Sequence, residues 1–286
     1  MIFVGCSGFP VPASRYWGEF SGVELTETEL GIPSDGTIRR WLRESPKNFA
    51  FSMMAPKKLV ESAFAPTPEN QALALAIGEV AKKMKAKAVV FTGPEDWKPT
   101  PTNRKTLKSF ADLFPRDYPA KVVIDLPAWK PAQVLATVGD LPIAPAFDPL
   151  RDDEPDGDFL YARLPGPAGR RSRYDDVAIA ELAKWCTEAS AKETLCVFRN
   201  QDMFVNAKAI QKAVITAREK ATKAQAKGAP KASASKATGS KAAAKPIAAK
   251  ASATKPSTVK ATSKTADKVS AKPAGRPAPK TAAKKK

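Results

Sequence analysis

Eight short runs of β-branched and apolar residues recur along the first 218 residues, and this recurrence limits the fold more than any other feature. They fall at 2–6, 22–26, 49–54, 88–92, 121–126, 143–147, 159–164 and 194–199. Most are nearly continuous, as in Ala88-Val89-Val90-Phe91 and Val122-Val123-Ile124. Strands covered on both faces read this way. The segments between them carry a helical period. Ile38, Trp41 and Leu42 share a face behind the capping candidates Ser34 and Asp35. Leu73, Ile77, Val80 and Met84 point one way on a helix over 68–86, and Leu107, Phe110, Ala111 and Phe114 do the same further on. The sets Ile179, Leu182, Ala183, Cys186 and Ile210, Ala213, Val214, Ala217 complete the pattern. Strand and helix alternating eight times predict a TIM-type (β/α)8 barrel, with an open doubly wound sheet as the alternative. The jacket is expected to be small and incomplete. Ser14–Phe20 has room for about two helical turns, and Asp152–Asp158 reads as a polar loop with no helix.

The rest of the chain is a different material. Residues 219–286 hold 18 of the 47 Lys+Arg and 2 of the 29 Asp+Glu, a charge of +16 against +2 for residues 1–218. This segment has no aromatic residue, and prolines at 230, 246, 256, 273, 277 and 279 block a long helix. It has too little apolar surface to offset the entropy of ordering, so a disordered basic tail over 219–286 is expected behind a barrel domain over 1–218. Its Lys/Ala/Pro composition resembles the tails of linker histones. A flexible polycation binds polyanions by counterion release, without sequence preference where aromatic stacking platforms are missing. Nonspecific nucleic acid is therefore the expected partner of 219–286. A solubilising role and contact with anionic lipid are the alternatives.

The chain contains no histidine. Ser-His-Asp and Cys-His hydrolysis and histidine-ligated zinc cannot be assembled within it, and acid–base work falls to Asp, Glu, Lys, Tyr or Cys. Cys6, Cys186 and Cys196 show no CxxC or metal-ligand spacing, so buried, reduced, cytoplasmic cysteines are expected and no metal or cofactor. The N-terminus lacks a signal-peptide pattern. No apolar run approaches the roughly 20 residues of a membrane span.

Several spaced segments, "VGCSGF", "VELTETELGIPSDGTIRRWLRESPKNFAFSMMAPK", "YARLPG" and "FRNQD" followed by Asn206-Ala207, resemble the YecE-like family, domain of unknown function 72. The resemblance spans most of residues 1–216. It implies a TIM-type barrel and no known activity. Departures are concentrated in the polar lining. The family's G-T-S-G-W reads Gly5-Cys6-Ser7-Gly8-Phe9. Its V-E-I-N-S-T-F-Y keeps Glu24 and Thr28 but loses the Asn and the aromatic pair. Its lysine before A-P is Met54, and its histidine after R-L is Pro165. The glutamate–arginine stretch before P-S-W is replaced around Val123-Ile124-Asp125. Arg163, Gly166, Asn200, Asp202 and Asn206 match.

In such a barrel the site lies at the carboxyl ends of the strands, which groups Ser7, Glu27, Lys57, Thr92, Asp125, Asp148, Arg163 and Asn200 at one mouth. Ser7 fits a nucleophile elbow poorly, because the position for the second glycine is Phe9 and no histidine base exists. It reads as a strand-end hydroxyl that bonds backbone or ligand. The loop Leu164–Arg173 joins Gly166 and Gly169 to Arg170, Arg171 and Arg173, with Arg199 and Asn200 ending the next strand. Glycine permits close backbone approach and arginine offers a bidentate fork to phosphate or carboxylate. Arg170, Arg171 and Arg199, with Ser7, Lys57, Arg163, Gly166 and Asn200, are therefore the anion-site candidates. A solvated basic loop is the alternative. Glu24 and Asp125 are the acid–base candidates. With Asp148 they could also converge on a hard cation, unless Arg163 pairs with them instead.

Two functional readings remain open. In one, the barrel binds or acts on a small anionic, sugar- or phosphate-like ligand. In the other, a non-catalytic barrel is tethered by its tail to DNA or RNA.

Overall fold

The computed structural model of the protein describes residues 1–189 and 191–228. Eight parallel strands close into one barrel in sequence order. They are β1 (Ile2–Ser7), β2 (Gly22–Leu25), β3 (Ala50–Met54), β4 (Ala88–Thr92), β5 (Lys121–Asp125), β6 (Ile143–Phe147), β7 (Phe159–Leu164) and β8 (Glu193–Phe198). All eight expected strands are present, and closure excludes the open sheet.

The helices are α1 (Ala13–Tyr16), α2 (Asp35–Glu44), α3 (Lys57–Glu61), α4 (Pro68–Met84), α5 (Pro101–Ala111), α6 (Pro131–Val138), α7 (Asp176–Glu188) and α8 (Met203–Gly228). Their starts follow local chemistry. Ser34, Thr67, Thr100 and Asp175 each accept a backbone N–H of the first turn, and proline follows Thr67 and Thr100. The periodic positions Ile38, Trp41, Ile77, Val80, Met84, Leu107, Phe110, Leu182, Cys186, Ile210 and Val214 are buried against the outer face of the barrel. Leu42, expected on the same face as Trp41, is 40% exposed. α8 runs ten residues past 218 into the stretch expected as tail. Residues 229–286 lie outside the described residues.

The jacket has two thin places. α1 is one turn long, and Tyr16 compensates. Its hydroxyl accepts the Cys6 N–H (2.7 Å) and donates to the Gly22 carbonyl (2.9 Å), tying β1 to β2. Gly5 makes room for this. A Cβ there would lie 2.0 Å from the Gly22 oxygen and 2.9 Å from the Tyr16 hydroxyl. The crossover from β6 to β7 contains no helix. Trp185 of α7 covers Phe147 edge-on at 5.6 Å, and its indole N–H donates to Glu154 of the crossover (2.5 Å).

Register alternates in and out with period two. Phe3, Ala50, Met54, Ala88, Val90, Val123, Phe159, Tyr161, Leu195 and Val197 fill the barrel axis. Ala144 and Ala146 pair with Val123 and Tyr161, so they face the same interior. Both remain partly exposed. Small side chains on β6 thus leave part of the interior accessible to solvent beside β5 and β7.

Candidate functional site

At the carboxyl ends of the strands the inward alternation delivers Ser7, Glu24, Thr92, Asp125 and Arg163, with Arg199 immediately after β8. Arg163 is the hub and is 4% exposed. Its Nε donates to Glu24 Oε2 and its Nη2 to Glu24 Oε1, both at 3.0 Å, a fork-to-fork pair. Its Nη1 donates to Thr92 Oγ1 (2.8 Å) and to Asp125 Oδ2, and Nη2 also meets the Met54 sulfur at 3.0 Å. Glu24 is fully buried and also accepts from Ser7 Oγ (2.6 Å) and the Tyr161 hydroxyl (2.9 Å), which is itself paired with Ser52 (2.8 Å). Burial alone would raise the Glu24 pKa. The Arg163 and Arg199 charges and the bonds from Arg163 and Ser7 outweigh it and hold the carboxyl below its ordinary value. Burial likewise opposes charge on Arg163, but Glu24 and Asp125 prevail and keep it protonated. Burial pushes the Tyr161 hydroxyl up, so it stays a neutral donor.

Arg199 is placed differently. Its Nε lies 3.9 Å from Glu24 Oε1 and its Nη1 3.8 Å from Asp125 Oδ2, outside hydrogen-bond range. Nε is buried with no hydrogen-bond partner among the described residues, while the side chain as a whole is 17% exposed. Burial lowers the Arg199 pKa, and so do the nearby Arg163 and Arg170 charges, against the pull of Glu24 and Asp125. The two acids and two arginines sum to zero. The acids, however, are bonded to Arg163, and Arg199 is left under-compensated at the solvent side. Asp125, 18% exposed, is the carboxylate of the cluster that solvent reaches. Glu24 has no such access.

A second polar group lies under the loop after β7. Gly166, at φ +99°, donates its N–H to the Tyr174 hydroxyl (2.9 Å). A Cβ on Gly166 would lie 2.5 Å from Ser172 Oγ and 3.2 Å from the Asn200 Cβ. Asn200 is 1% exposed, and neither its amide oxygen nor its amide nitrogen has a partner among the described residues. Asp148, after β6, accepts the Leu150 N–H (3.1 Å) through Oδ1 but leaves Oδ2 buried and unpartnered. Burial pushes its pKa up, only partly offset by that bond and by Arg151.

The structure therefore brings Ser7, Glu24, Asp125, Arg163 and Arg199 together, and Gly166 and Asn200 beside them. Arg170 and Arg171 are exposed on the 165–173 loop, and the charge of Arg170 is felt at Arg199. Lys57 stands apart. Pro56 starts α3 at this point, and Lys57 is 69% exposed and paired with Glu61 (3.4 Å). The hard-cation arrangement does not form, because Arg163 occupies Glu24 and Asp125. No group of three or more metal-ligating side chains occurs among the described residues. Tyr161, Ser52 and Tyr174 were not singled out from the sequence. Tyr161 was accessible to period-two reasoning, since it shares the inward face with Arg163. A groove of about 850 Å3, bordered by Phe9, Leu30, Ile32, Arg40 and Trp41, lies beside the loops after β1 and β2 and also had no sequence signal. Among the described residues no helix is long and apolar enough to cross a membrane.

Comparison with curated proteins finds no match. Among solved structures, a DUF72 family protein from Enterococcus faecalis V583 superimposes with a TM-score of 0.62 at 18% identity, over 75% of this chain and 96% of that one. A DUF72 family protein from Thermotoga maritima MSB8 gives 0.59 at 20% identity, over 75% and 99%. At these identities the likeness is one of fold. A family model described as "Protein of unknown function DUF72" matches residues 13–236. That span takes in seven of the eight strands and every charged residue of the cluster, and the chain belongs to the DUF72 family.

Proposed function

We propose that the barrel mouth binds a small anionic, sugar- or phosphate-like ligand, with Arg199 as its principal contact. The observation that carries this reading is the Arg199 guanidinium. It is partly exposed, held 3.8–3.9 Å from carboxylates already bonded to Arg163, and has an Nε without a partner among the described residues. An anion approaching from solvent would meet the part of this guanidinium that solvent reaches, through charge-assisted hydrogen bonds. Arg170 supports the approach by charge, and Arg171 lies on the same loop. Glu24 acts as a positioning residue that fixes Arg163 behind Arg199. If the bound ligand is also transformed, Asp125 is the group that would move a proton, because it is the solvent-reached carboxylate of the cluster.

The test is calorimetric titration of the full chain with phosphate, sulfate and glucose 6-phosphate. Arg199→Gln should weaken binding at least about tenfold, the equivalent of about 1.4 kcal/mol. No binding to the unaltered protein, or equal binding to the variant, overturns the reading.

The charge of +16 over residues 219–286 supports a second reading, in which the tail holds the protein on nucleic acid without sequence preference. Deleting 219–286 should then abolish DNA binding at low salt, and unchanged affinity would sink the idea. Cys6, Cys186 and Cys196 are all buried free thiols, which fits a reducing, cytoplasmic compartment.

A further inference from the structure

We propose that the opposite, amino-terminal end of the barrel carries a separate pocket for a compact organic anion with an apolar ring, such as an aryl carboxylate or aryl phosphate. The pocket has a volume of about 290 Å3, at the small end of ligand sites. It lies where β4, β5 and β6 begin and is walled by Phe114, Tyr118 and Ile143.

Three cations border it, namely Lys87, Arg116 and Lys121, against one acid, Glu193. Lys87 is engaged. It pairs with Glu193 at 2.6 Å and stands over the Phe3 ring at 5.6 Å. Neither Arg116 nor Lys121 has an ion-pair or side-chain hydrogen-bond partner among the described residues. Lys121 is also at an unexpected place. It opens β5 in register with Ala88, a residue of the apolar barrel axis, so the alternation directs it toward the base of the barrel. A hydrophobic plug is the ordinary occupant of such a position. Lys121 and Arg116 are both exposed and both line the pocket, which sets two unpaired positive charges at its edge.

The floor is rigid. The Tyr118 hydroxyl donates to the Ala74 carbonyl (2.7 Å), and its ring packs edge-on to Phe114 at 5.2 Å. Phe114 is in turn held edge-on by Phe91 and Phe110 at 5.1 and 5.3 Å. A flat ring can lie on this preformed surface while its carboxylate or phosphate meets Lys121 and Arg116. Charge-assisted hydrogen bonds of that kind are the strong ones. None of these residues belongs to the mouth, so the two sites stand or fall independently.

The test uses the full chain with benzoate and phenyl phosphate as probes, in calorimetric titrations of the unaltered protein and of Arg199→Gln, Lys121→Gln and Arg116→Gln. Binding that survives Arg199→Gln but weakens at least about tenfold in Lys121→Gln and in Arg116→Gln, and that falls with added salt, is the expected result. Crystals of the unaltered protein soaked in 4-bromobenzoate should show bromine density against Phe114 and Tyr118. Affinities unchanged by Lys121→Gln and Arg116→Gln, or bromine only at the mouth or nowhere, would overturn the proposal.

Discussion

Replacing Glu24 with glutamine separates the work of its charge from the work of its shape. One carboxylate oxygen accepts from Ser7 (2.6 Å) and Arg163 Nη2 (3.0 Å), and the other from Tyr161 (2.9 Å) and Arg163 Nε (3.0 Å). Glutamine fills the same space, but one of its ends is an NH2 group that cannot accept. Whichever way the amide turns, two of the four donors face another donor. Arg163 and Arg199 are then opposed by Asp125 alone. Removing one partner of a buried pair typically costs about 3–5 kcal/mol. Arg163 would keep Asp125 and Thr92, which places the expected loss at the lower end, about 3 kcal/mol. For a domain of this size that is roughly 6–12 °C in Tm.

Urea unfolding is the assay, since guanidinium chloride would screen the charges being measured. Arg163→Met and the double variant complete a cycle, and the double variant should lose clearly less than the sum of the singles. The pH dependence has a definite sign. The Glu24 carboxyl is held below its ordinary 4.5, so its contribution is fully present above that value and is lost as pH falls through the folded-state value. The gap between the unaltered protein and Glu24→Gln should therefore shrink below about pH 4.5. A loss under about 1 kcal/mol at neutral pH, or strictly additive single losses, would refute the assignment of Glu24 and Arg163 as one electrostatic unit.

Asp148→Asn should stabilise the protein at neutral pH. Burial raises the Asp148 pKa, so its ionised form is a liability above the folded-state value, and the advantage of Asn should vanish below the ordinary value of 3.8 in urea titrations run at both pH values. Gly166→Ala should cost about 1–3 kcal/mol, because φ is +99° and the new methyl would meet Ser172 Oγ at 2.5 Å and the Gly169 oxygen at 2.7 Å. A Gly166→Ala/Ser172→Ala pair should not recover it, since the backbone clash remains. Cys6, Cys186 and Cys196 should fail to react with an aromatic disulfide reagent until denaturant is added. All three are buried, and burial pushes the Cys6 thiol up to about 12 against the lowering effect of Tyr16.

The strands were legible because a parallel sheet covered on both faces leaves a run of apolar residues that nothing else in the chain imitates. The helices were legible from their period, joined to a cap at Ser34 ahead of Ile38 and Trp41. Leu42 misled because it sits at the edge of its stripe, where one step around the helix reaches water. At the mouth, strand-end reasoning gathered the right residue types but could not rank them. Glu24 and Asp125 look equivalent in sequence, and only the register that puts Arg163 between them buries one and leaves the other at the solvent edge. Lys57 fits the same strand-end rule, yet Pro56 starts a helix there and turns it outward. Tyr161 and Trp185 act across long sequence separations, and the spacing along the chain does not announce their partners Glu24, Ser52 and Glu154.

The helix-free crossover between β6 and β7 has a consequence for how the chain can be cut and rejoined. β6 and β7 pair through Ala146–Tyr161 and Phe147–Ala162, and the segment joining them is a polar loop held by the Trp185–Glu154 bond, the Lys192–Asp158 ion pair and the turn in which Asp152 accepts the Asp148 N–H. At the far end of the barrel, Arg218 of α8 reaches the Ile2 carbonyl at 2.5 Å, so the first strand and the last helix turns are neighbours. A gene rearranged to begin at about residue 156 and to join residue 218 to residue 1 by a short linker would break no strand and would shorten only α8, by its last ten residues. The same barrel would then be read out starting from β7, and the Gly166 loop and Arg163 would be translated before the carboxylates that hold them.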